Sequence, residues 1–509
     1  MMAKCNDVHR AVVLALVLLT HARITVGCPT GCQCMQKVKE HLTICMNTSL
    51  TEIPDNIPAN TDQLHFKGNR IRILRRGSFT RLSSLNTLSL THCQIEIIEP
   101  NAFSGLGSLA YLDLQFNGIR ELQPYAFSGL FALKRLLLDN NNLTEVHNFA
   151  FNGLNLTRLR MERNPELRDI STKAFQGAKI NELFIMNSVL GNKSLRALAP
   201  LSDTLRELSW QGNRQPLTIP KDLFQGFTFQ TLKLNDNGIT DAQFLEYVVA
   251  DDLSLEGNPT GPIDFSHYPN LRQVRVLRLS RTGFTRVDGK YFAGLPHLAQ
   301  LYLSENGIMT LPSNLQSVFE QLQRIVLDKN NIYCNCELRW FKRWLGLTRT
   351  FVQGATCSHP FLEDIPFIDE SVMTCSPPKL ISVSHGRNVS LGTELTLSCV
   401  ARGNPAPTVT WHWPNGEKTV TAPPIDRNIT ETHGQLHIVA AQHVDQGRFR
   451  CDAVNVVGNV SAAAEILVYR VTYDLQVGDK GRCSGQLRLH LVYLVLACLC
   501  GKVLVSHVC

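Results

Sequence analysis

Leu109-Ala-Tyr-Leu112-Asp-Leu114-Gln-Phe-Asn117-Gly-Ile119 spells a phrase, L-x-x-L-x-L-x-x-N-x-L, that returns twelve times along this chain. Copies start at positions 61, 85, 109, 133, 156, 180, 205, 229, 250, 274, 298 and 322. The intervals are 24, 24, 24, 23, 24, 25, 24, 21, 24, 24 and 24 residues, so only the step into the ninth copy is three residues short. A period held that tightly denotes one supersecondary unit stacked on itself, each unit burying its apolar side against its neighbours. Such a stack exposes a long concave surface, and binding becomes the first functional expectation.

Inside each unit, alternation along L-x-x-L-x-L predicts a short strand with leucines inward and the intervening residues outward. The Asn at position nine predicts a turn whose side-chain amide satisfies backbone groups of adjacent coils. Second halves such as Ala102-Phe103-Ser104-Gly105-Leu106 and Ala126-Phe127-Ser128-Gly129-Leu130 predict a convex side with Phe packed under the next coil. These are leucine-rich repeats, and the expected fold is an α/β-type solenoid with a parallel-β concave face. Cys93, Ser188 and Thr282 replace the Asn, and Trp210 replaces an inward Leu. Cys93 reads as a buried thiol in the Asn row.

A chain of 509 residues exceeds a single core, and its net charge of +7 is small for that length. The charge permits an acidic partner such as a sulfated glycan and does not argue for nucleic acid. Lys4 and Arg10 before the apolar run Ala11–Leu19, then Thr25-Val26-Gly27, read as a secretory signal over 1–27. Seven sequons agree with export: Asn47, Asn142, Asn155, Asn192, Asn388, Asn428 and Asn459. Of the 16 cysteines, Cys28, Cys32, Cys34 and Cys45 precede the repeats and Cys334, Cys336, Cys357 and Cys375 follow them. In an exported chain such clusters are disulfide frameworks rather than zinc sites, so no metal is expected.

Outward positions of units four to six are uneven in composition. They present Arg135, Leu137 and Asp139, then Arg158, Arg160 and Glu162, then Glu182, Phe184 and Met186, with Tyr111 and Asp113 before them. Guanidiniums beside exposed apolar groups have the composition of a binding hot spot. The expected ligand face is therefore Tyr111, Arg135, Leu137, Arg158, Arg160, Phe184 and Met186. No sequon falls on an outward strand position, which would leave that face bare of glycan.

Cys28-Pro-x-x-Cys32-x-Cys34 with Cys45, and Cys334-x-Cys336 with Cys357 and Cys375, resemble the cysteine caps of extracellular leucine-rich-repeat proteins. The resemblance implies pairs Cys28–Cys34, Cys32–Cys45, Cys334–Cys357 and Cys336–Cys375. Asn330-Asn331 stands where that motif carries Asn-Pro. Leu338, Trp340, Phe341, Trp344 and Leu345 give an apolar helix face to cover the last coil. Further on, Cys399, Trp411 twelve residues later, and Asp445-x-Gly447-x-Phe449-x-Cys451 form an immunoglobulin signature. A Cys399–Cys451 bridge is expected in an all-β sandwich of intermediate (I-set) type. The usual corner tyrosine is Phe449, which removes one hydroxyl bond. Together these modules resemble the LRR–Ig superfamily of cell-surface proteins, similar in architecture to LINGO, LRIG and LRRN proteins. That family implies adhesion or receptor modulation.

The expected organisation is 1–27 signal, 28–60 N-terminal cysteine cap, 61–333 twelve repeats, 334–376 C-terminal cysteine cap, 377–470 immunoglobulin domain, 471–486 stalk and 487–509 apolar tail. The tail loosely fits a GPI-attachment signal after Ser484-Gly485. A single-pass anchor interrupted by Lys502 and a non-anchoring tail remain open. No H-E-x-x-H, G-x-S-x-G, phosphate loop or calcium loop occurs, so no enzyme and no cofactor are expected. The expectation is a protein of the secretory pathway, displayed at the cell surface or secreted. Its partner would be an extracellular protein ligand or co-receptor, with glycans as a second class. The alternative is an innate recognition protein that binds microbial surface molecules.

Overall fold

The computed structural model describes residues 23–24, 27–36, 40–358, 362–416, 419–422, 431–477 and 483–488. The apolar run of the signal, Asn428 and most of the 487–509 tail lie outside the described residues. Those described fall into two compact units, one within 1–332 and 340–367, the other within 333–339 and 368–509.

In the first unit one strand per repeat lines up in parallel, from Gln63–His65 to Arg324–Val326, within a 16-stranded sheet. The antiparallel hairpin of Gln33–Gln36 and His41–Ile44 extends it at the N-terminal end, and Phe351–Gln353 closes it at the other. The inward leucines lose all contact with water, as Leu64, Leu112, Leu183 and Leu301 show, and Trp210 is equally buried. Each fully buried Leu is worth about 2 kcal/mol in water-to-core transfer, so stacking rather than strand propensity holds these short strands.

The position-nine asparagines form a ladder. Asn258 Nδ2 donates to the carbonyls of Leu234 and Leu255, both at 2.8 Å. Its Oδ1 accepts from the amides of Asn237 and Ile239 at 3.0 and 3.1 Å. Asn306 and Asn330 repeat the pattern in their own coils. Where Asn is replaced, part of this survives: Thr282 Oγ1 donates to the Leu279 carbonyl at 2.6 Å, and the Cys93 thiol faces the Phe66 carbonyl. The residue just before the ladder position is left-handed in coil after coil, as in His92 (φ 55°), Phe116 (57°), Arg163 (55°) and Arg281 (57°). That turn points the Asn inward and its predecessor out.

On the convex side Phe79, Phe103, Phe127, Phe151 and Phe175 stack face to face, with centroids 6.0, 5.9, 5.9 and 5.2 Å apart. After Phe175 the stack stops. Phe224 instead meets Phe229 and Phe244 edge-on.

At the N-terminal end Cys28–Cys34 and Cys32–Cys45 are disulfides. At the other end Cys336–Cys375 is one, and Cys334 and Cys357 are both disulfide-bonded. Phe341 and Trp344 of the helix Arg339–Leu345 pack on Phe319 at 5.8 and 5.6 Å, closing the last coil. Trp340 Nε1 donates to the Leu311 carbonyl at 2.8 Å.

The second unit holds a sandwich whose strands pair antiparallel except Arg387–Ser390, which runs parallel to Gly458–Tyr469. Ser376–Val383, Leu395–Asn404 and Glu431–Ile438 form one sheet; Arg387–Ser390, Gly458–Tyr469, Gly447–Asn455, Thr408–His412 and Thr419–Ala422 form the other. The Cys399–Cys451 disulfide joins the two, and Trp411 beside it is buried with Nε1 3.3 Å from the Gly434 carbonyl. Phe449, with no hydroxyl to place, is fully buried and meets Trp413 at 5.9 Å. Further along the chain, strands Thr472–Val477 and Cys483–Arg488 pair antiparallel, the second running two residues past the stretch read as stalk into the one read as tail. Among the described residues no helix is long and apolar enough to cross a membrane.

Candidate binding face on the concave sheet

Strand register decides which outward side chains share a row. Tyr111, Arg135, Arg158, Glu182 and Glu207 pair in sequence across five strands. Asp113, Leu137, Arg160, Phe184 and Ser209 form the parallel row two residues on. Met186 stands beyond Phe184 on the same strand, in register with Gln211. With strands about 4.8 Å apart, each row runs roughly 20 Å, the scale of a protein epitope. All seven sequence-predicted residues therefore fall on one continuous surface.

Two of their expected properties change. Leu137 is not an exposed anchor: only 8% of it meets solvent. Its register neighbours Asp113 and Arg160 flank it, and the long Arg160 side chain reaches past it to the carboxylates beyond. The guanidiniums of Arg158 and Arg160 are not free cations either. Arg158 Nε donates to Glu182 Oε2 at 2.5 Å, and its guanidinium lies 5.4 Å from the centre of the Phe184 ring. Arg160 Nε is 3.2 Å from Asp139 Oδ2, and its Nη2 is 3.0 Å from Glu162 Oε2. Among the described residues Arg135 makes no ion pair and is exposed.

Three guanidiniums thus stand among Asp113, Asp139, Glu162, Glu182 and Glu207, so the face is not a basic patch. Its carboxylates are partly dehydrated. Burial pushes the Asp139 carboxyl up to about 6, against the opposing pull of the Glu162 amide and Arg160. Burial likewise raises Asp113 and Glu207, and the Tyr111 phenol. His65, at the same position of an earlier strand, is held below the usual imidazole range by burial.

Sequence reasoning missed two groups of residues. His92 and Phe116 stack at 4.5 Å with planes 13° apart, and Phe116 stays 43% exposed beside the Asp113 strand. Their only sequence signal is position eight, whose residue types follow no rule. At the C-terminal end Tyr302 is an outward position that the repeat phrase does give, but its partner Arg278, 5.0 Å over the ring, and the pair of Arg324 and Phe351 at 4.6 Å were missed. Phe351 belongs to the cap, 27 residues after its register partner Arg324, and so escaped the repeat phrase.

The asparagines of the sequons at 47, 142, 155, 192, 388 and 459 are all exposed. Asn155 is itself the first residue of strand Asn155–Arg160, so that sequon touches the rim of the sheet instead of lying before it. Among the described residues no group of His, Cys, Asp or Glu could hold a metal ion.

Residues 59–119, 108–165 and 272–332 match the leucine rich repeat family model, and 377–455 match that of the immunoglobulin domain. The chain is similar to leucine-rich repeat and fibronectin type III domain-containing protein 1 of Danio rerio, 27% identical over 260 residues, 48% of this chain and 43% of the relative. It is also similar to the Homo sapiens NT-3 growth factor receptor, 28% identical over 212 residues, 41% of this chain and 25% of the receptor. The chain thus spans less than half the length of these relatives. Among solved structures, a chain of the octameric complex of latrophilin 3, Unc5D and FLRT2 aligns over 67% of this chain and 98% of its own, with 19% identity and a TM-score of 0.45. The chain combines leucine-rich repeats with an immunoglobulin domain, an architecture consistent with the LRR–Ig superfamily.

Proposed function

We propose that this chain is an extracellular recognition protein that binds another protein through the concave face around Arg135, Arg158 and Phe184. It would act in adhesion or receptor modulation at the cell surface. The observation that carries this reading is the continuous row of side chains from Tyr111 to Glu207 over five parallel strands. Fixed by the sheet and cross-braced by ion pairs, they form a preorganised surface, and preorganisation lowers the entropy cost of binding.

Mixed charge favours a protein partner over a polyanion at this face. An interlaced pattern of carboxylates and guanidiniums needs a partner with its own matched pattern, which selects for specificity. The relatives include a growth factor receptor, consistent with a protein ligand.

The test is a binding screen of the purified chain against cell-surface ectodomains, with intact microbes as a second arm. A variant carrying Arg158→Ala, Arg160→Ala and Phe184→Ala should lose binding to a captured ectodomain. Full retention of affinity by a folded triple variant would move the site elsewhere. Binding to microbes alone would favour innate recognition.

A further inference from the structure

The last four strands of the concave sheet carry a second set of outward side chains. At about 4.8 Å per step they begin about 19 Å from the Phe184 strand. Strand register places Val276, Gln300, Arg324 and Phe351 in one row. Arg278, Tyr302, Val326 and Gln353 form the row two residues on. Neither row holds a carboxylate. Asp252, in register with Val276 on the strand before, is bound by Arg278. Further along these strands Asp328 accepts from Gln353 Nε2 at 2.8 Å, and Glu305 from Lys329 Nζ at 3.0 Å. Among the described residues the Arg324 guanidinium meets no carboxylate and lies over the Phe351 ring instead.

We propose that this end of the sheet is a second docking surface, whose occupant is an acidic segment of a protein partner. The segment brings a carboxylate to Arg324 and an apolar side chain to the Phe351 and Tyr302 rings. Arg324 is half-buried, so part of its hydration is already lost before a partner arrives. A carboxylate reaching it forms paired, charge-assisted bonds to the planar guanidinium. Phe351 stays 53% exposed beside it. Tyr302 is held in place: its hydroxyl donates to Gln300 Oε1 at 2.9 Å, and Arg278 lies 5.0 Å over its ring. Groups fixed in advance lose little freedom on binding.

Charge and area together choose the occupant. Around Arg158 and Arg160 the guanidiniums are matched by Glu182, Asp139 and Glu162. Here one guanidinium is left over, so the complementary group is an anion. A sulfated polysaccharide needs a cluster of cations, and Arg324 stands in its row without another. The aromatic rings beside it suit the side chains of a protein instead. The row spans three strand steps, about 14 Å, the length of roughly four residues of an extended segment. No sequon lies between Asn192 and Asn388, so these coils offer no site for an N-linked glycan that would cover the surface.

This surface is separate from the one around Arg158 and stands or falls separately. The experiment selects a displayed library of random dodecapeptides on the immobilised full chain, with counter-selection on Phe351→Ala. The recovered peptides are expected to share an Asp or Glu beside an aromatic or aliphatic residue. The commonest of them, synthesised, should bind the parent saturably. Arg324→Gln should weaken it about tenfold or more, as should replacing its own carboxylate by the amide. Arg135→Glu should leave it unchanged, and circular dichroism should match the parent for all three variants. A heparin hexasaccharide is titrated in parallel. Recovery of no peptide that tells the parent from Phe351→Ala overturns the proposal. So do recovered peptides without an acidic residue, or full retention of affinity by Arg324→Gln. Loss through Arg135→Glu instead would place the peptide on the first face and overturn only this second one. Heparin binding that Arg324→Gln abolishes, with no peptide recovered, overturns it in favour of a glycan.

Discussion

Asp139 Oδ2 and Arg160 Nε face each other at 3.2 Å across adjacent strands, while Asp139 Oδ1 accepts the Glu162 backbone amide at 2.8 Å. Even so, burial holds the Asp139 carboxyl at about 6, above its ordinary value of 3.8. The folded chain therefore binds this proton more tightly than the unfolded chain does. Stability contributed by the group is largest near pH 4 and declines as pH rises through the window to about 6. Urea unfolding at pH 4, 5, 6 and 7 should show Asp139→Asn with a flatter profile across that window than the parent. An unchanged slope would mean that the carboxyl titrates normally.

The Asn ladder predicts a large local cost. Asn258→Ala leaves the carbonyls of Leu234 and Leu255 and the amides of Asn237 and Ile239 without their partner in a buried coil. With each unmet group costing about 1 kcal/mol or more, the variant should lose roughly 3 kcal/mol or more of stability. Thermal melts against Asn142→Ala, an exposed neighbour of the ladder, would check it.

Leu137 and Phe184 should separate folding from binding. Leu137→Ala removes a buried side chain and should cost about 1–3 kcal/mol of stability, with little change in affinity for a captured partner. Phe184→Ala removes a half-exposed ring and the contact with Arg158, and should weaken binding tenfold or more while melting nearly normally. Reversal of that pattern would place Leu137 at the interface.

Cys93 is fully buried, and burial pushes its thiol up to about 11. Maleimide at pH 8 should therefore leave it unlabelled in the native chain and label it on unfolding, as mass spectrometry would show. Fast native labelling would mean that this coil opens readily.

The repeat phrase made the solenoid legible because one apolar period decides both strand and inward face. Cys399, Trp411 and Cys451 did the same for the sandwich. Ion pairing was legible too, had the period been applied to charge. Glu182 lies 24 residues after Arg158, one coil on, and so beside it. Burial of Leu137 was not legible, since alternation gives the direction of a side chain and not what its neighbours reach across. Phe351 was hidden by the longer step into the cap. The His92–Phe116 shelf depends on left-handed turns that residues as different as Arg, Phe and Glu adopt here.

The phenylalanine stack that ends at Phe175 divides the convex back into two kinds of packing. Before it, five rings in line tie coil to coil along the convex back; after it, Phe224 belongs to a separate edge-on cluster. Among the described residues no ring contact joins those two blocks. Where the ring stack lapses, the coils are joined instead by the pairing of Glu182–Met186 with Glu207–Gln211 and by the buried side chains of Leu195, Leu198 and Leu201.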